Sequence, residues 1–506
     1  MLKMSVKSVL LTTCVAASLS GCGPADSPRR VDVPVSGKLQ LDGVTVVAPA
    51  TGALAPGMSV LMDHGRIVSV VPTSTAPKSV GVQRIDATGK FVVPGYNNMH
   101  SHALTAPNAA GALAIMLADG TTGFRQMDSS PEVLEKRRNH TLPLGKDAPA
   151  LLATPGSLLT PFNAPTSNDA VAEVRRQKQQ GADFIKVALV SPPVFFAALA
   201  EAKRVGLPAV GHLQEGVDPA AASRAGYRSI EHLGPGDTMW IGCSTQGAAL
   251  LADAAAHPLM PTPPFKIPGF VQSPFAAKVR KILINPAAAE KPPEVARLQR
   301  AFDTYSDQKC RALAALFVAD DTWQVPTLVR LRTQYYGELP EYQHDPSLAY
   351  ISPQAIKDWR EVTDTFRKLS SATHATFHEA YRRDLLLTKL FADAGVPMMA
   401  GTDGGGQVPG QSLLQEFDEL AKAGLSPLKI LQMTTIDPAK FLGCAATMGT
   451  VEAGKNADLV LLDANPLVTV QNMHRIAAVV RGGLYHSATE LASLRGRVAT
   501  GHGYLR

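Results

Sequence analysis

The residues best suited to chemistry are histidines, a lysine and an aspartate set at the ends of apolar runs. In Pro94-Gly95-Tyr96-Asn97-Asn98-Met99-His100-Ser101-His102 the two imidazoles are two residues apart, so an extended chain turns both to one side. Neutral imidazole is a good ligand for zinc and similar metals, and the pair could share one ion. Gly181-Ala182-Asp183-Phe184-Ile185-Lys186-Val187 sets a lysine among apolar residues, where an ammonium is costly unless it is paired or modified. Val210-Gly211-His212 and Ser229-Ile230-Glu231-His232 each end on a histidine, and Met398-Met399-Ala400-Gly401-Thr402-Asp403 ends on an aspartate. Taken singly, each has an ordinary explanation: a core histidine, a surface histidine, a capping aspartate. Taken together, at the ends of such runs and in this order, they are better explained as one convergent site than as separate accidents.

Six such residues act together only if the fold brings the run ends to one place. Between about 94 and 445 short apolar runs alternate with helical patterns, as in Phe184-Ile185-Lys186-Val187, a helix through Val194 to Val205, then Pro208-Ala209-Val210-Gly211-His212. This alternation predicts a parallel sheet, and over this length an α/β fold of the TIM-like (β/α)8 barrel type. In such a barrel the carboxyl ends of all strands converge on one face, where active sites lie. Residues 33–93 and 446–506 read instead as short β-branched strands, with Asp63-His64-Gly65 as a hairpin turn. They predict a small β-sandwich domain built from both chain ends. A proline-rich stretch of about 234–324 is too long for one strand–helix unit and is expected as an insertion on the loop side, with a further helical stretch from about Pro353 to Asp393.

At this point the chain resembles the amidohydrolase superfamily of metal-dependent hydrolases, and within it the imidazolonepropionase-like and prolidase-like group. The resemblance rests on the Pro-Gly…His-x-His run, on Met116-Leu117-Ala118-Asp119-Gly120-Thr121-Thr122-Gly123-Phe124-Arg125, and on the runs ending at Lys186, His232 and Asp403. It extends to Thr434-Thr435-Ile436-Asp437-Pro438-Ala439 and to Gly449-Thr450-Val451-Glu452-Ala453-Gly454-Lys455-Asn456-Ala457-Asp458. It implies two divalent ions, zinc being the expected metal. His100, His102 and Asp403 would bind one ion and His212 and His232 the other. Lys186 would be carboxylated and bridge both. Asp403 would also be the catalytic base and acid in hydrolysis of a carbon–nitrogen bond in an amide, a dipeptide-like compound or a cyclic amide. One departure is Asn98, where the family usually has an acid. Rival readings are a deaminase or a lactonase on the same fold, or a catalytically inactive binding lipoprotein.

Other residues remain open. Strand seven is expected at Val325-Pro326-Thr327-Leu328-Val329. Beyond it, Arg330 could clamp a substrate carboxylate and Tyr335 could line the site. His374 and His378 have helical spacing, but no glutamate follows the first, so the pair is read as a helix face rather than a metal site.

The amino terminus carries Lys3 and Lys7, a short apolar stretch, and Leu19-Ser20-Gly21-Cys22. That run looks like a lipoprotein signal over 1–21, with lipid on Cys22 and a tether over 22–32. Gly23 after the cysteine points to the outer membrane of a Gram-negative cell, with the enzyme facing the periplasm. Cys243, Cys310 and Cys444 leave room for at most one disulfide, whose pairing the sequence does not give, and two or three of them are expected as buried thiols. With 49 Lys+Arg against 43 Asp+Glu, 6% aromatics and no basic run, nothing suggests a nucleic-acid partner. The oligomeric state is not legible.

Overall fold

The structure is a computed structural model that describes residues 37–77, 80–258, 265, 281–405 and 408–500. The signal segment, the tether and Cys22 lie outside the described residues, as do residues 259–264 and 266–280 of the expected insertion.

Eight extended segments run parallel in a ring. Three pair in the order Tyr96–Ser101, Thr121–Gln126, Ala150–Ala153, and four in the order Ile185–Val187, Ala209–Gly211, Ser229–Glu231, Trp323–Val325. Parallel bridges join these groups at Pro155 and Phe184, and link both to an eighth stretch, from Gln324 to Met398 and from Ser101 to Gly404. The amide of Met99 donates to the Ala400 carbonyl at 2.9 Å and that of Met399 to Gln324 at 3.0 Å. The interior is filled by Met99, Trp323, Val325 and Met399, and by Met127, Ala153, Phe184 and Val210. This is a TIM-like α/β barrel, and the strand ends fall on one rim.

The abundant prolines have a local use. Ser130, Asp218, Ser352 and Ser426 each accept a backbone N–H at a helix start, and each is followed by proline in the first turn. Proline has no N–H to leave unpaired there, and its φ already suits a helix.

Both chain ends build the second, β-rich unit. Its strands run Leu484–Ser487, Ile476–Arg481, Leu459–Leu462, Phe91–Pro94, Lys38–Val47, Leu54–Asp63, Arg66–Pro72, with Val82–Asp86 beside Lys38–Val47. The antiparallel pair Phe91–Pro94 with Leu459–Leu462 joins the two ends, and Leu41, Val44, Val60, Val92, Leu459 and Val480 form its core. The expected hairpin turn is present. His64 and Gly65 have φ of 46° and 71°, the left-handed pair that suits the twist of a two-residue hairpin. The last helix, Ala488–Ala499, packs Leu494 and Val498 on Ala114 and Leu117 of the barrel helix Ala109–Ala118.

Two expectations need correction. Strand seven ends at Val325 instead of running to Val329, because Pro326 offers no amide and Thr327 is left-handed (φ 48°). Leu328 therefore opens a helix, Leu328–Tyr336. Nor are Cys243 and Cys310 thiols: they form a disulfide across a sequence separation of 67 residues. It ties the helix Thr238–Gly242 to Asp307–Ala319. Among the described residues no helix is long and apolar enough to cross a membrane.

Candidate metal centre

The rim gathers the six residues. Lys186 lies beside Val210 in the strand register, and Val210 beside Ser229, so Lys186, His212 and His232 stand on three adjacent staves. His100 and His102 come from the first strand and its end, and Asp403 from the eighth. The Nε2 atoms of His100 and His102 are 3.0 and 2.9 Å from Asp403 Oδ1. The ring centroids of His100 and His232 are 4.7 Å apart, and those of His212 and His232 5.1 Å.

Close approach of backbones makes this convergence possible. A Cβ on Gly401 would sit 2.7 Å from both His100 Cβ and Val325 Cγ1, so only glycine fits two residues before Asp403. His232, Leu233, Thr327 and Asp403 all have φ between 48° and 59°. Such backbone costs energy for a residue with a side chain and persists where the surroundings enforce it, often at functional sites.

Each ring is also oriented from behind. His100 donates its Nδ1–H to Glu231 Oε2 at 2.7 Å, and His212 donates Nδ1–H to the Ala188 carbonyl at 2.9 Å. His232 Nδ1 is 2.6 Å from the Thr327 hydroxyl. These bonds leave each Nε2 lone pair for a ligand, the arrangement typical of metal-binding histidines.

Glu231 is the acid that the sequence reading missed. Its other oxygen accepts from Arg125 at 2.8 Å, and Arg125 also donates to the Met99 carbonyl at 2.6 Å. Both side chains are fully buried. Arg125 lies over the ring of Phe441, 5.1 Å from its centroid, in the barrel interior. Burial would raise the Glu231 carboxyl, but Arg125 and His100 outweigh it and hold it well below the usual range. Asn98 does not touch the imidazole: it donates to Thr402 Oγ1 at 3.0 Å and accepts from the His100 amide. Asp128 is another acid on the cavity wall that went unread.

The electrostatics suit cations. Burial pushes His212 down to about 3 and His232 well below its ordinary value, so both rings are neutral and free to ligate at neutral pH. Burial against Asp403 is opposed by His232 and His100, which keep it well below the carboxylate range and ionised. Burial brings the Lys186 amine down to about 8. Its Nζ and His100 Nε2 are buried without a hydrogen-bond partner among the described residues. Nitrogen and carboxylate donors with unsatisfied buried atoms fit one or two divalent ions of the zinc type.

The centre opens into a cavity of about 310 Å³ lined by His102, Lys186, His212, His232 and Asp403. Ile282, Leu283, Ile284 and Leu298 of the inserted region form part of its wall. Arg330 is there, but it is not a free clamp. It donates to Asp403 Oδ2 at 3.0 Å, to the Ile284 carbonyl at 2.6 Å and to the Leu283 carbonyl. It therefore ties the inserted segment to the aspartate. Tyr335 does not line the cavity: it stacks on Phe377 in the core, because the helix turns it away, and Gln334 lines the wall instead.

The comparisons agree with this architecture. A model of the Amidohydrolase family matches residues 349–484. Over 99 residues the chain is 34% identical to imidazolonepropionase of Shouchella clausii (strain KSM-K16), which is 18% of this chain and 22% of that protein. Over 68 residues it is 43% identical to 5-methylthioadenosine/S-adenosylhomocysteine deaminase of Symbiobacterium thermophilum, 13% of this chain and 15% of that one. The chain thus aligns with less than a quarter of the length of these relatives. Among solved structures, bottromycin amidohydrolase matches over 92% of this chain and 90% of its own, with a TM-score of 0.64 at 22% identity. A Xaa-Pro dipeptidase with methionine bound in the active site matches over 89% and 100%, with a TM-score of 0.57 at 16% identity. At these identities the likeness is one of fold. The chain thus shares the fold of these amidohydrolases over about nine-tenths of its length, and residues 349–484 match the Amidohydrolase family.

Proposed function

We propose that the chain is a metal-dependent hydrolase that cleaves a carbon–nitrogen bond in an amide, a dipeptide-like compound or a cyclic amide. The convergence of His100, His102, Lys186, His212, His232 and Asp403 on one barrel rim supports this reading. His100, His102 and Asp403 would hold one divalent ion and His212 and His232 a second, with Lys186 serving both as its carbamate. When bound, such ions acidify water towards neutrality and polarise a carbonyl.

The chain's own groups then manage protons and position. Asp403 takes a proton from the attacking water on a carboxylate oxygen and passes it to the leaving nitrogen. Arg330 fixes the carboxylate through Oδ2, and Glu231 and Thr327 keep the rings of His100 and His232 aimed. Ile282, Leu283, Ile284 and Leu298 make part of the wall apolar, which displaces water from the substrate there. A cavity near 310 Å³ suits a small molecule of about dipeptide size. Lys186 counts against a deaminase with one metal, which has no use for a second anionic ligand.

The test is a screen of metal-loaded protein against N-acyl amino acids, dipeptides, lactams and lactones, in parallel with Lys186→Ala. Turnover of an amide that is lost in the variant and partly restored by small carboxylic acids supports the reading. Near-normal turnover in Lys186→Ala without such acids would sink it.

A further inference from the structure

A second group of metal-type ligands lies away from the cavity. The helix Ser371–Asp393 carries His374 and His378 one turn apart, on one face. Sequence alone made this pair an ordinary helix face, since no glutamate directly follows His374. The acid comes from elsewhere. Glu338 follows the helix Leu328–Tyr336 by two residues, and its Oε1 reaches 3.5 Å from His378 Nε2 and 3.8 Å from His374 Nδ1. One ligand atom from each residue fits within a span of 4.8 Å.

These distances are longer than hydrogen bonds. Among the described residues, His378 Nε2 and Glu338 Oε2 are buried with no hydrogen-bond partner. Unpaired buried polar atoms cost stability, and a cation held by the Glu338 carboxylate would satisfy His378 Nε2. Ligands bound to zinc at about 2.0–2.2 Å in a tetrahedron stand roughly 3.3–3.6 Å apart, so the two glutamate distances need little adjustment. The rings are already held. His378 stacks on Tyr336 at 4.1 Å with planes 4° apart, and Phe366 meets His374 edge-on at 4.7 Å. Locked side chains are what a preorganised site requires.

We propose that Glu338, His374 and His378 form a divalent metal site of the zinc type, with its remaining coordination open to water. Two imidazoles and a carboxylate match the ligand preferences of zinc. The ion joins the end of the helix Leu328–Tyr336 to the helix Ser371–Asp393. Arg330, which holds Asp403, sits in the first turn of the former helix. The site is a brace for that helix rather than a second reaction centre. It stands whether or not the rim centre is binuclear.

The test uses the intact chain, stripped with chelator and re-equilibrated with zinc chloride. Bound zinc is counted by atomic emission, and thermal unfolding is followed with and without zinc. Wild type should hold one more zinc per chain than His374→Ala/His378→Ala, and part of its zinc-induced rise in melting temperature should vanish in the double variant. Glu338→Gln, which leaves the helix sequence intact, should lose the same ion. His102→Ala should lower zinc at the rim yet keep the ion that the double variant lacks. Equal zinc counts and equal thermal shifts in wild type, the double variant and Glu338→Gln would overturn the proposal. Should the double variant fail to fold, the Glu338→Gln comparison decides alone.

Discussion

Two side chains at the rim separate what was readable from what was not. His100 and His102 stand out in the sequence because a two-residue spacing on a strand means a shared direction. Glu231 stood inside a quoted run, next to His232, and its role went unread. Its partners are His100 and Arg125, 131 and 106 positions away, and no local pattern encodes a contact across a barrel. Glu231→Gln should weaken metal binding by roughly 10–100-fold, because the amide cannot hold His100 as a carboxylate does. It should also destabilise the fold by about 3–5 kcal/mol, since Arg125 keeps its buried charge without a counter-ion. Competition with a coloured chelator and urea unfolding measure the two effects, and an unchanged affinity in the folded variant would remove Glu231 from the centre. Asp403→Asn tests the proton carrier. Loss of general acid–base function alone costs about 100- to 10,000-fold, and loss of a ligand adds to it. Turnover within tenfold of wild type, at full metal content, would exclude the role.

The inserted region is where the sequence was least informative at the level of elements. Its prolines marked it as irregular, but which segment would reach the cavity depends on packing between distant helices. The structure places Ile282 to Leu298 on the wall and closes the region with the Cys243–Cys310 bond, a pairing that three cysteines without metal-like spacing could not single out. The wall also holds a cluster of charge. Arg297 is 1% exposed and pairs with Asp237, and with Glu215 at 3.3 Å. Burial, then Asp237, Glu215 and Glu294, push the Glu290 carboxyl up to about 8 against the attraction of Arg297. In the unfolded chain it would ionise near 4.5. Between these values the folded chain binds more protons than the unfolded one, so this group lowers stability as pH rises from about 4.5 to 8. Glu290→Gln should therefore match wild type at pH 4 and be more stable at pH 9. Urea unfolding of both proteins at the two pH values checks this. A constant difference across the range would show that Glu290 is already ionised in the fold.

At the scale of the whole molecule, alternation of strands and helices was enough to give the barrel, and the similar texture of both ends gave the second unit. The closing helix Ala488–Ala499 was not foreseen, because its contact with the barrel helix Ala109–Ala118 joins the two ends of the chain. The amino terminus adds a proposal about where the molecule works. We propose that Cys22 carries lipid and holds the enzyme on a membrane, facing the periplasm. A single acyl chain gives marginal attachment, whereas several at one cysteine hold firmly. Removal of residues 1–21 takes away Lys3 and Lys7 and lowers the net charge from +6 to +4. So small a charge, with no basic cluster, gives weak attraction to anionic lipid that salt would screen. Attachment through lipid and attachment through charge are therefore separable. In a Gram-negative host the wild type should pellet with membranes and stay there in high salt, while Cys22→Ser should be released. If salt released the wild type, charge would be the anchor. If both proteins remained in the cytoplasm, the lipid anchor and the periplasmic location would be lost together, and the metal centre would be untouched.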